Sequence, residues 1–404
     1  EWYRYHHLFG DLLRLELASR DPGLVLALHR RAAAWHRAAG DVDEAIGHAS
    51  AAGEFSAAGE LIASHWLAHW RRGRGATVAR WLDGLPEEAI LADPPVAYVA
   101  AWIGGFSGAS KQECERWLTV VEDPGWKGRL PEGIRSLAFG AALTRAAALF
   151  DDVGRAARAA RRAVELAGPQ PSPFWWMAQA ALGHALYLSG RLAEARPPLE
   201  EVVARVPAAE QPYAVLTGLA VLSLLAGDED DDQAATSLAA RAVTIADAHG
   251  LSGEPLCGIV HMAHGRALTR QGHHTEAQEQ LEWALQLSGI DSMAVHRAHV
   301  LLLLATLHHG RRDLPGARML LRRAEELVKR LADPGMLPAL LEQTRTDAGR
   351  CGPPAGRAGR VPHRAGARGP AAAGDPALGP GDRPGASRLR QHRPDPGAGH
   401  PPQA

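Results

Sequence analysis

Cysteine is scarce. Only Cys114, Cys257 and Cys351 occur in 404 residues, far apart and odd in number, which excludes a disulfide framework and a cysteine-rich zinc site. Long apolar runs are missing too. The longest, around Val300–Ala305, falls far short of the roughly 18 residues that a membrane-spanning helix needs. Neither sign of charge prevails: 44 Lys and Arg stand against 45 Asp and Glu, a net −1, so the whole chain has no electrostatic reason to hold nucleic acid. Alternation of β-branched residues between Asn-Gly or Asp-Gly turns is absent, and with it the signature of strands. No G-x-x-x-x-G-K-[ST] loop is present to cradle a phosphate, and no G-x-S-x-G to present a nucleophilic serine. No signal peptide precedes Glu1, which already lies in a stretch that reads as structure. The expectation is a cytoplasmic protein truncated at its N-terminus.

What is present is helix. The chain is 46% hydrophobic and 22% charged, ordinary for a globular protein and long enough for two or three domains. Ala, Leu, Arg and Glu dominate residues 1–350, all strong helix formers. Apolar or small residues recur at helical spacing, as in Leu182, Ala185, Leu186 and Ser189, or Val300, Leu303, Leu304 and Leu307. Clusters of Gly, Asp and Pro, such as Ala332-Asp333-Pro334-Gly335, separate them.

These breaks are periodic. A turn followed by a small residue that opens the next helix is clearest in Gly190…Ala195 and Gly272…Ala277, and weaker at Asp151…Ala156, Gly227…Ala235 and Arg312…Ala317. From Cys114 the small residues follow at intervals of 42, 39, 40, 42 and 40. Self-similarity at that period predicts stacked helical hairpins, an all-α superhelix of tetratricopeptide-like (TPR-like) units, that is, an α-solenoid. The first helix of a unit needs a small residue where the second crosses it, as at Gly183 and Gly265. The second needs Ala195 or Ala277 at the matching point, with Leu199 and Leu281 filling the groove toward the next unit. Pro207 closes one repeat.

The N-terminal end carries a family resemblance. A dense opening, Trp2-Tyr3-Arg4-Tyr5-His6-His7-Leu8-Phe9, leads to Leu28-His29-Arg30-Arg31 and Trp35. Two short hairpin units, Gly40…Ala45 and Gly53…Ala58, precede Arg80-Trp81-Leu82-Asp83-Gly84-Leu85-Pro86 and the longer repeats. This order resembles the large ATP-dependent LuxR-family transcriptional regulators of the MalT type. The resemblance implies the end of a winged helix over 1–35, a helical arm over 36–95 and a TPR-like sensor domain over 96–347. In that family an NTPase precedes these parts, and a LuxR helix-turn-helix follows. ATP is implied for the intact family but no cofactor for this chain, which lacks the phosphate loop. His6 or His7 would be the position for a nucleotide contact, weighed against simple packing of an aromatic–histidine cluster.

The composition changes near Arg350. Of the 54 residues from Cys351 on, 11 are Gly, 11 Pro, 11 Ala and 8 Arg, against 3 Asp. So little bulky apolar surface predicts disorder for the tail, taken as 348–404. Reading the coding frame one base forward from Val361 permits T-E-R-E-L, R-E-I-A and N-T-V-x-T, which resemble the LuxR helix-turn-helix. The two-fold degenerate codons of His363, Asp382, Gln391, His392, Asp395, His400 and Gln403 fit that frame. The tail thus reads as a frameshifted DNA-binding domain, with no recognition helix as written.

Other chemistry is sparse. His261 and His264, and His296 and His299, are i, i+3 pairs without an identifiable third ligand, so packing is favoured over metal. Asp228–Asp232 reads as a solvated loop, and Trp66, Trp70, Trp81, Trp102, Trp175 and Trp176 as inter-helix packing, a minority lining a groove. The repeats carry no catalytic constellation. The expected function is the sensor portion of a regulator, binding an inducer or a regulatory protein through the repeat groove and capable of self-association. It would not enter membranes or bind specific DNA. The alternative is a free-standing TPR-like scaffold for a protein partner.

Overall fold

The computed structural model describes residues 7–122, 125–148, 152–168, 173–289 and 293–350. The tail, with its expected disorder and frameshifted domain, lies almost wholly outside them. Among the described residues the chain is all-α, with no strand and one isolated bridge between Asp152 and Asp333. The N-terminal part comprises α1 (His7–Arg20), α2 (Pro22–Ala39), α3 (Val42–Ala51), α4 (Phe55–Trp70), α5 (Gly75–Asp83) and α6 (Glu87–Ala92). Six long hairpins follow: α7 (Pro94–Ser107) with α8 (Lys111–Val121), α9 (Leu137–Ala147) with α10 (Val153–Ala167), and α11 (Pro173–Leu188) with α12 (Leu192–Arg205). Next come α13 (Pro212–Asp228) with α14 (Asp232–Ala248), α15 (Gly258–Arg270) with α16 (His274–Leu287), and α17 (Ala294–Gly310) with α18 (Leu314–Val328), before α19 (Leu337–Arg350).

Local chemistry fixes each hairpin. Asp152, Asp231 and Asp313 cap α10, α14 and α18 by accepting from the backbone N–H of Arg155, Ala234 and Gly316 at 2.7, 2.9 and 3.0 Å. Ser110 does the same for α8 in a reciprocal box with Glu113, satisfying donors the helix leaves unpaired. Two residues before α12, α14, α16 and α18 the backbone is left-handed, at Gly190, Asp230, Gly272 and Arg312. Glycine adopts that conformation without penalty, whereas Asp230 and Arg312 hold it at a cost of about 1 kcal/mol each.

The first helices of successive hairpins pack side by side, α11 on α13, α13 on α15 and α15 on α17. They form the interior, and α13 is buried along its whole helical length except at Asp228. Two features turn the stack back on itself. The segment between α18 and α19 returns to the start of α10 and the end of α11: Val153 N–H donates to Asp333 O at 3.0 Å, and Met336 N–H to Leu188 O at 2.8 Å. The Asp333 side chain adds a bond from Gly154 N–H at 3.0 Å. On the other side, α4 reaches across to the starts of α11 and α13. Trp70 stacks on Tyr213 with ring centroids 4.4 Å apart, and Trp66 on Phe174 at 6.1 Å. Trp102 meets Trp66, Trp70 and Phe174 edge-on, and such pairs contribute roughly 0.5–1.5 kcal/mol each beyond area. By contrast, α2 buries no residue, and Leu12, Leu15, Leu24 and Leu28 stay exposed on α1 and α2.

Candidate functional site

The residues singled out for repeat packing fall on one register. Ala45, Ala58, Cys114, Ala156, Ala195, Ala235, Ala277 and Ala317 are each the fourth residue of their helix, α3, α4, α8, α10, α12, α14, α16 and α18, and all are buried. A Cβ at Gly183 would stand 2.4 Å from Leu199 Cγ and 3.0 Å from Ala195 O. At Gly265 it would stand 2.6 Å from Leu281 Cγ and 3.2 Å from Ala277 O. Leu199 and Leu281 therefore fill the notch of their own hairpin, and Leu199 O also stands 3.5 Å from a Cβ placed at Gly218 in the next. Three further crossing residues went unnoticed in the sequence: Thr144, Ser223 and Ala305, each buried and each twelve residues before its small partner. Ser223 Oγ donates to Ala235 O at 2.7 Å across the crossing. The fixed offset of twelve, seen in 183/195 and 265/277, would have found them.

Where the stack turns back, α11, α13, α15, α17 and α19 enclose a cleft of about 560 Å³, the size of a small-molecule site. Its charged wall is Arg266, whose guanidinium donates to Leu224 O at 3.1 Å and to Asp228 Oδ1 at 2.5 Å. Arg270 pairs with Asp230 at 2.7 Å and with Asp232. Asp228–Asp232 is thus more than a solvated loop: three of its carboxylates anchor α15, while Asp231 caps α14. Tyr187 and His299 form the buried floor, their rings 6.4 Å apart and nearly parallel. Burial, with Arg266 and His296 nearby, lowers the His299 pKa to about 3, so the ring is neutral. Its Nδ1 is buried and has no hydrogen-bond partner among the described residues. Leu302, Leu340 and Thr306 line the apolar and polar rim.

One turn earlier, His296 faces elsewhere. Its Nε2 lies 3.2 Å from His184 Nε2, at a second, narrower cavity of about 30 Å³ whose lining includes Met177, Met262 and Met293. Burial lowers both pKa values, that of His296 to about 4. His296 and His299 therefore serve two different cavities. His261 is held by Gln280 at 2.8 Å and by Ser252 O at 3.0 Å. Trp66, Trp70, Trp81 and Trp102 are all buried between helices, and Trp175 and Trp176 are partly buried. Of the histidines set against a nucleotide, His6 lies outside the described residues and His7 opens α1.

No family model matches the chain. A stretch of 107 residues, 26% of the chain, is 35% identical to the HTH-type transcriptional regulator MalT of Cronobacter sakazakii, and it spans only 11% of that protein. Among solved structures, a Rap protein complexed with competence and sporulation factor aligns over 80% of this chain and 98% of its own, at 12% identity and a TM-score of 0.39. The human IFIT1 dimer with m7Gppp-AAAA aligns over 80% of this chain and 72% of its own, at 15% identity and a TM-score of 0.38.

Proposed function

We propose that the chain is the sensor region of a MalT-like LuxR-family transcriptional regulator, cytoplasmic and acting by binding rather than catalysis. Its inducer is a small molecule taken into the cleft over Tyr187, Arg266 and His299. The observation that carries this reading is the cleft itself. A neutral, buried imidazole nitrogen without a partner and a partly buried Arg–Asp pair converge where the last helices fold back toward α10 and α11. A buried polar atom left unpaired in a cavity of mixed polar and apolar lining favours an occupant that satisfies it. A ligand there touches α15 and α17 together with α19, so it would bias the seam toward its closed state. The partial likeness to MalT supports the regulatory context. ATP hydrolysis and promoter recognition would belong to other parts of such a regulator. The exposed leucines of α1 and α2 favour one second reading, a scaffold for a protein partner.

Thermal unfolding against a panel of sugars, sugar phosphates, amino acids and nucleotides tests the proposal. A ligand at 100 times its Kd adds about 2.7 kcal/mol, roughly 3–4 °C for a domain of this size. The expected result is such a shift in the wild-type chain that disappears in Thr306→Trp, which fills the cleft from its exposed rim. A shift that persists in that variant would place the ligand elsewhere, and a chain stabilised by none of these compounds would favour the scaffold.

A further inference from the structure

The hairpin of α2 and α3 gathers imidazoles far along the chain from the cleft residues. His29 and His36 stand two turns apart on α2, and Glu44 and His48 one turn apart on α3. His36, Glu44 and His48 each bring a ligand atom within 4.8 Å of the other two. His29 Nδ1 lies 2.8 Å from His48 Nδ1, and Asp41 Oδ2 3.1 Å from His36 Nδ1. The rings of His36 and His48 stack with centroids 5.4 Å apart. We propose that His36, Glu44 and His48 bind a zinc-class transition-metal dication, with Asp41 and His29 as positioning residues for the two imidazoles.

The donor set suits that ion. Two imidazoles and a carboxylate make a three-ligand zinc site, which leaves the fourth position to water. Ligand atoms of a tetrahedral site stand about 3.3 Å apart for bonds of about 2.0–2.1 Å, a closure that side-chain rotation can supply. Ligating histidines characteristically use their other ring nitrogen to hold a carboxylate or similar partner, and Asp41 stands in that relation to His36. Glu44 is exposed while His36 and His48 are half-buried, so the ion has an entry path. The site would also do structural work. Because α2 buries no residue of its own, an ion bridging His36 to α3 would fasten it to the rest of the chain.

The test uses the full chain stripped with a chelator, then titrated with zinc alone in a calorimeter and with cobalt by visible absorption. One zinc per chain is expected at micromolar Kd or tighter, with a tetrahedral cobalt spectrum. His36→Gln and His48→Gln should each weaken binding more than 100-fold, and Asp41→Asn and His29→Gln about 10-fold. His261→Gln, outside the cluster, should leave it unchanged. Zinc at 100 times its Kd should slow amide exchange across residues 22–39 up to ~100-fold, a readout the variants lose. Melting in chelator checks that each variant folds, and His36→Gln lies on a helix with no buried residue. Failure to bind one zinc per chain, or binding and exchange protection that survive the His36→Gln/His48→Gln double variant, would overturn the proposal.

Discussion

Two buried histidines make the molecule's stability depend on pH. His296 and His299 are neutral inside the fold because burial lowers their pKa to about 4 and about 3. In the unfolded chain each returns to about 6.5. Below 6.5 the unfolded state therefore binds more protons than the folded one, and stability falls with falling pH until the folded values are reached. Each residue should cost about 2 kcal/mol between pH 7 and pH 5, from about 1.4 kcal/mol per pH unit below 6.5. Urea unfolding of the wild-type chain at both pH values, beside His299→Gln, checks this. The variant should lose a smaller share of its stability on acidification, and equal losses would show that the ring titrates normally in the fold. The spacing of these histidines was legible in the sequence, but their surroundings were not. His184, which meets His296, lies 112 residues away, and His29 and His36 meet His48 only once α2 folds back on α3.

At the scale of the element, four of the six crossings follow a size rule, Ala305 with Leu321 and Trp102 with Leu118 being the other two. Gly183 faces Leu199 and Gly265 faces Leu281, while the corresponding pairs in neighbouring hairpins are Thr144 with Ala160 and Ser223 with Ala239. In these four hairpins a side chain on the first helix goes with alanine on the second, and glycine on the first with leucine on the second, as close packing requires of a shared notch. Gly183→Ala should cost about 1–3 kcal/mol by overpacking. Leu199→Ala alone should cost about 2–5 kcal/mol through its cavity. Together they should cost at least 1 kcal/mol less than the sum, as measured by a double-mutant cycle in urea. Strict additivity would mean that the two side chains do not share the notch. Helix type, hairpin register and the small positions were readable because capping and the 40-residue period are local signals. The size rule was only half readable, since Thr and Ser stand where glycine was expected and do not advertise a crossing.

For the whole molecule, the turning-back of the stack creates the cleft, and nothing in the repeat pattern announces it. The contacts that make it join Gly154 to Asp333, 179 residues apart, and Leu188 to Met336. A period of 40 specifies how each hairpin meets the next, not where the last returns to α10 and α11. The N-terminal arm was similarly half legible. Its short units appear as α2 to α4, but the packing of Trp66 and Trp70 onto Phe174 and Tyr213 depends on the same return of the chain. Gly335 is the weak point of the seam: its φ is +57°, and a Cβ there would stand 2.2 Å from Leu188 O. Native-state hydrogen exchange on the wild-type chain and on Gly335→Ala is the most direct measurement of this closure. It should show α9–α11 and α17–α19 exchanging slowly and at a common free energy in the wild type, and both accelerating together in the variant, while the middle of α13 stays protected. If instead α17–α19 exchange independently of α9–α11, and Gly335→Ala leaves both unchanged, the stack does not close and the cleft does not exist.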